Sequence, residues 1–151
     1  MGMFEVKVGL ANPSAPQRTQ QVSLLVDTGA TLSWIPRSVL EELGVAAVSR
    51  LPFTLADGSE LTRDTTGVLM VVDGRKAMVP AAFGEPGEEA VLGVTALEIL
   101  GLVVDPVGQK LVPRNLLLLS WMAHGDVLSK SMPPLIRRGL ARKLGYSPIQ
   151  L

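Results

Sequence analysis

Cysteine is absent from this chain of 151 residues, which excludes disulfides, thiolate metal sites and a cysteine nucleophile. Histidine occurs once, as His124, so a zinc site built from imidazoles is not expected either. No metal and no cofactor is called for. Long apolar runs are missing too: Gly67-Val68-Leu69-Met70-Val71-Val72 and Leu116-Leu117-Leu118-Leu119 fall far short of the roughly 18 residues a membrane helix needs. Met1-Gly2-Met3-Phe4-Glu5 lacks the basic start and apolar core of a signal peptide, so a cytoplasmic protein without a membrane span is expected. Net charge is zero, but unevenly placed: −4 over residues 1–114 and +4 over 115–151. The basic tail suits nucleic acid, an anionic membrane surface or the acidic body of the same protein; a solvated or body-docked tail is the preferred reading, and no nucleic acid is expected.

What remains as chemistry is carboxylate. The apolar run Val22-Ser23-Leu24-Leu25-Val26 ends in Asp27-Thr28-Gly29-Ala30, and a carboxylate rarely sits against so much apolar sequence unless a partner or a chemical task keeps it there. Nearly half of the residues are apolar, enough for one domain with a real core. Phe4–Leu10 alternates with period two, and Asn12-Pro13-Ser14-Ala15-Pro16-Gln17 then breaks the strand. Val22–Val26 reads as a buried strand and Leu32-Ser33-Trp34-Ile35-Pro36 as another, with Trp34 and Ile35 assigned to the core. Asp57-Gly58 and Asp73-Gly74 mark two hairpins with type I′ turns, the first between Leu51–Leu55 and Glu60–Arg63, the second between Val68–Val72 and Lys76–Val79. Helical spacing is brief: Ser38–Leu43 closed by Gly44, and Thr95–Leu100 closed by Gly101, with Ser38 and Thr95 expected as caps. Many short strands and two short helices predict an all-β, barrel-like domain.

The order apolar-apolar-Asp27-Thr28-Gly29-Ala30, a Pro-ended strand, an Ala56-Asp57-Gly58-Ser59 hairpin, then Val91-Leu92-Gly93 before a short helix and Leu102-Val103-Val104-Asp105, resembles a retropepsin-like aspartic protease of the single-domain kind. The resemblance spans about residues 4–114. It implies a closed β-barrel of the acid protease fold with half an active site per chain, followed by a C-terminal extension, 115–151. Asp27 would be catalytic, Thr28 would bond across to the loop of a second subunit, and Gly29 would allow a turn and close approach of a partner chain. Two such carboxylates near 3 Å cannot both ionise, since at an effective dielectric of about 20 the repulsion is roughly 5–6 kcal/mol. They share one proton and activate a water against a peptide bond. Because there is one Asp-Thr-Gly, a homodimer acting on a polypeptide is implied.

Weaker assignments follow the same resemblance. The Asp57-Gly58-Ser59 hairpin is the candidate flap, more polar at its tip than the glycine-rich flaps of the family, with an ordinary surface hairpin as the plain alternative. Ala30 is a candidate to offer backbone groups to substrate, and Thr31 stands where relatives often carry an acid. Asp64-Thr65-Thr66-Gly67 inserts a residue and follows polar sequence, so it is not read as a second catalytic motif. Val91-Leu92-Gly93 is expected to pack beneath the catalytic loop. In the extension, Leu116–Leu119 is a candidate interface strand, the basic residues 134–145 a weak helix interrupted by Gly139, His124 a solvent-exposed side chain, and the junction a candidate self-processing site. A binding or dimerisation module on the same fold, with little turnover, is the second reading.

Overall fold

The computed structural model describes residues 3–116. Nine strands and two short helices follow one another in it. β1 (Glu5–Ala11) and β2 (Thr19–Asp27) form an antiparallel hairpin, with Val8, Leu10, Leu24 and Val26 turned into the core. β3 (Ser33–Pro36) runs directly into α1 (Arg37–Glu42). β4 (Ser49–Thr54) and β5 (Glu60–Val72) meet around the Asp57-Gly58 turn, and β5 and β6 (Arg75–Gly84) around Asp73-Gly74. β7 (Val91–Gly93) leads into α2 (Val94–Leu100), and β8 (Leu102–Asp105) and β9 (Lys110–Pro113) close the described part as a separate two-stranded sheet.

The main sheet has the order β1-β2-β7-β3-β6-β5-β4, and β1 also pairs with β5. Six strands therefore close on themselves and β4 hangs on the outside of β5. This is the closed barrel with short helices that the sequence predicts. Leu10, Leu24, Ile35, Leu40, Met70, Phe83 and Leu92 fill it, all essentially inaccessible to water. Each contributes roughly 1.5–3 kcal/mol by that burial.

Several local expectations need correction. The segments at 60–63 and 68–72 belong to one 13-residue strand, exposed at its first end where it pairs with β4 and alternately buried where it enters the barrel. Asp73 and Gly74 both have positive φ, as a type I′ turn requires, but at the first hairpin only Gly58 does (φ 85°). There the Gly58 N–H donates to Leu55 O at 2.9 Å and the Leu55 N–H to Ser59 O at 2.8 Å, a longer turn with a left-handed glycine. Gly44 and Gly101 end their helices as expected, at φ 73° and 67°. Ser38 and Thr95, however, lie inside the helices: the cap positions are Pro36 and Gly93, neither with a side-chain cap bond. Each helix starts straight from a strand, which leaves no room for a capping turn. The assignments made for the extension beyond Leu116 lie outside the described residues.

Candidate active site

β2 carries Asp27 as its last residue because it is wedged between two partners. It is antiparallel to β1 on one side and parallel to β7 on the other, in the register Leu25 to Val91, Val26 to Leu92 and Asp27 to Gly93. The Leu25 N–H donates to Ala90 O at 3.0 Å. Asp27 is half-buried, whereas Thr28 and Gly29 are exposed. The Gly29 N–H donates to Asp27 Oδ1 at 2.9 Å, and the Ala30 N–H to Asp27 O at 3.2 Å. The carboxylate is thus oriented by its own loop.

β7 and the start of α2 support that loop from beneath. The Gly93 N–H donates to Ser33 Oγ at 3.0 Å, Val94 N–H to Ala30 O at 2.8 Å, and Thr95 N–H to Thr31 O at 3.1 Å. The orphan amides of the helix start are satisfied by loop carbonyls instead of a side chain. A Cβ on Gly93 would lie 2.6 Å from Leu32 O and 2.9 Å from Ala30 O, so only glycine allows this approach. Gly29 differs from expectation: it is not among the positive-φ glycines, so its turn does not require one. What a side chain would crowd there is the carboxylate, with Asp27 Oδ1 3.1 Å from an added Cβ. Ala30, assigned a backbone contact to substrate, already has its N–H and its carbonyl engaged within the chain; Thr31 is exposed and its carbonyl is likewise engaged.

Asp57, Gly58 and Ser59 form a second cluster at the tip of the β4–β5 hairpin. Asp57 Oδ1 accepts from the Ser59 hydroxyl at 2.5 Å and from the Ser59 N–H at 2.9 Å. These bonds, the hydroxyl first, hold the Asp57 carboxyl below its ordinary range. Asp64, not read from the sequence as a second catalytic acid, is engaged in ion pairs. Its carboxylate receives Arg37 Nη2 at 2.9 Å and Arg50 Nη1 at 3.2 Å, and the Arg37 bond chiefly depresses its pKa. Arg37 also reaches Glu85 Oε1 at 2.9 Å and lies over the Phe83 ring, and the bonds to Glu85 and Asp64 push its own pKa up.

Sequence reasoning missed a set of residues beside the hairpin. Ile35 is in the core, but Trp34 points to the opposite face and is half-buried, its ring edge-on to Phe53 of β4 with centroids 5.3 Å apart. The alternation of Ser33 and Ile35 inward is the signal that could have turned Trp34 outward. Arg63 of β5 lies over Trp34, 5.7 Å from the ring centroid, and pairs with Glu88 of the β6–β7 loop. Among the described residues no group of three His, Asp or Glu side chains is arranged to hold a metal ion, and no helix is long and apolar enough to cross a membrane.

A family model described as aspartyl protease matches residues 14–96. The chain belongs to that family. The match runs from the β1–β2 turn to the first turn of α2 and so includes Asp27, the hairpin and Gly93. The aspartyl protease membership expected from the sequence thereby stands. Among solved structures, the chain is similar to the solution structure of the Simian Foamy Virus (mac) protease, at a TM-score of 0.46 and 17% identity over 62% of this chain and 91% of that one. No curated protein matches the sequence.

Proposed function

We propose that this aspartyl protease chain is one half of a homodimeric endopeptidase whose two Asp27 carboxylates act together on a polypeptide. The observation that carries the reading is the presentation of Asp27: a carboxylate held by its own loop at the end of a barrel strand, half-buried, next to an exposed Thr28 and Gly29. One chain supplies one such acid. Twofold pairing through this loop would bring in the second, with Thr28 as the crosslink.

In the paired site one proton is shared. The ionised Asp27 takes a proton from a bound water while the protonated one donates to the scissile carbonyl oxygen, and the water oxygen bonds to the carbonyl carbon. Proton transfer to the amide nitrogen then lets the C–N bond break, giving a carboxylic acid and an amine with no covalent enzyme intermediate. The β4–β5 hairpin acts as the flap, with Asp57, Gly58 and Ser59 at its tip facing substrate backbone.

Cleavage of a peptide library at pH 4–7 tests this. Wild type is expected to cleave with a rate that falls more steeply than protein concentration on dilution, and Asp27→Asn to abolish cleavage while leaving the fold intact. A diluted monomer with full specific activity would contradict the dimeric site. The second reading, a binding or dimerisation module, is favoured by one feature, the polar tip closed on itself by Asp57 and Ser59; a confirmed dimer that cleaves no peptide would select it.

A further inference from the structure

Resting on that reading of the hairpin as a flap, we propose that Arg63 and Glu88 are positioning residues that seat the flap against the strand pair carrying Asp27. Arg63 lies opposite Leu51, and Phe53 opposite Leu61, in the β4–β5 register, so alternation puts these four side chains on one face of the hairpin. That is the face that meets Trp34. The aromatic contact gives attraction but little direction. The guanidinium supplies direction: Nη2 and Nε both address the Glu88 carboxylate, and Nη1 donates to Thr62 O at 3.0 Å.

Glu88 is fixed in turn. Its Oε2 accepts the Glu85 N–H at 2.8 Å, which shapes the loop between β6 and β7. Two residues on, Ala90 O receives the Leu25 N–H, and Leu25 is two residues before Asp27. A continuous path therefore runs from the hairpin through Arg63, Glu88 and Ala90 to β2. The pair is also well shielded, at 20% and 27% side-chain exposure, whereas Arg50 in the neighbouring pair with Asp64 is 63% exposed. Exposed pairs contribute little, and shielded bidentate ones define geometry. Losing Glu88 would leave the Arg63 charge over Trp34 without the carboxylate bonded to it, and the hairpin would sample more positions.

The test compares Arg63→Gln, Glu88→Gln, the double variant and an Arg50→Gln control in the full chain, by peptide-cleavage kinetics and by amide hydrogen exchange resolved by segment. Each single variant is expected to lower kcat/KM about tenfold, mainly by raising KM, and the double variant to lose no more than either single one, as coupled neighbours do. Exchange at residues 54–61 is expected to quicken several-fold while β2 and β7 keep their protection. Arg50→Gln is expected to change neither readout by more than about twofold. Unchanged exchange at 54–61, additive losses in the double variant, or faster exchange throughout the barrel would overturn the positioning role. If wild type cleaves no peptide, the protease reading fails, and local exchange by itself decides the seating role.

Discussion

At the scale of single residues, the tightest constraint near the candidate site is glycine, not acid. Gly93 has no space for a methyl group, because the atoms in the way are the backbone of the Asp27 loop, which cannot yield without moving the carboxylate. Gly58 has left-handed φ but nothing within 4 Å of an added Cβ. Gly93→Ala is therefore expected to cost about 1–3 kcal/mol of stability, as overpacking does, together with activity. Gly58→Ala should cost only about 1 kcal/mol. Urea unfolding of both variants checks the ranking. The place of Asp27 at the end of β2 was legible in the sequence because a charge ending an apolar strand is conspicuous without any tertiary knowledge. Ser33, which accepts the Gly93 N–H from sixty residues away, was not. Its neighbours in sequence say nothing of that partner.

At the scale of elements, some signals contained within a few residues held, and those shared between elements were missed. The Asp73-Gly74 turn and the closing glycines of both helices depend on local backbone preferences, whereas the Asp57-Gly58 turn departs from the type I′ form expected. The helix starts do not rest on local preferences, because the amides of α2 are satisfied by Ala30 and Thr31 carbonyls brought there by β3 and β7. The ion pairs are equally remote: positions 37, 64 and 85 meet only after the barrel closes. These pairs make the hairpin acid-sensitive in a definite direction. Arg63 depresses the Glu88 carboxyl from its ordinary 4.5, and Arg37 that of Asp64 from 3.8. For an acid whose pKa is lowered by folding, the stabilisation is complete above the unfolded value and disappears as pH falls through the folded one. The gap in melting temperature between wild type and Glu88→Gln should hold from pH 7 to about 5 and close below roughly pH 4. A gap that stays constant to pH 2.5 would count against the pair.

At the scale of the whole molecule, an all-β barrel with two short helices was legible because strand signals recur along the described residues and helical spacing is brief. Which strands neighbour each other was not, since the parallel pairings of β7 with β2 and β3 with β6 join segments far apart in sequence. Closure of six strands into a ring also bears on solubility. Within the main sheet every ring strand has a partner on both sides over part of its length, and the outer strand β4 alone has just one partner strand. A free edge is a template on which another chain can add a strand, and β4 answers that hazard with Pro52, which has no N–H to offer, and the charge of Arg50. Pro52→Val combined with Arg50→Val should leave the barrel folded yet turn its solutions turbid and thioflavin-positive on standing, so the strand outside the ring is also where its colloidal stability is decided.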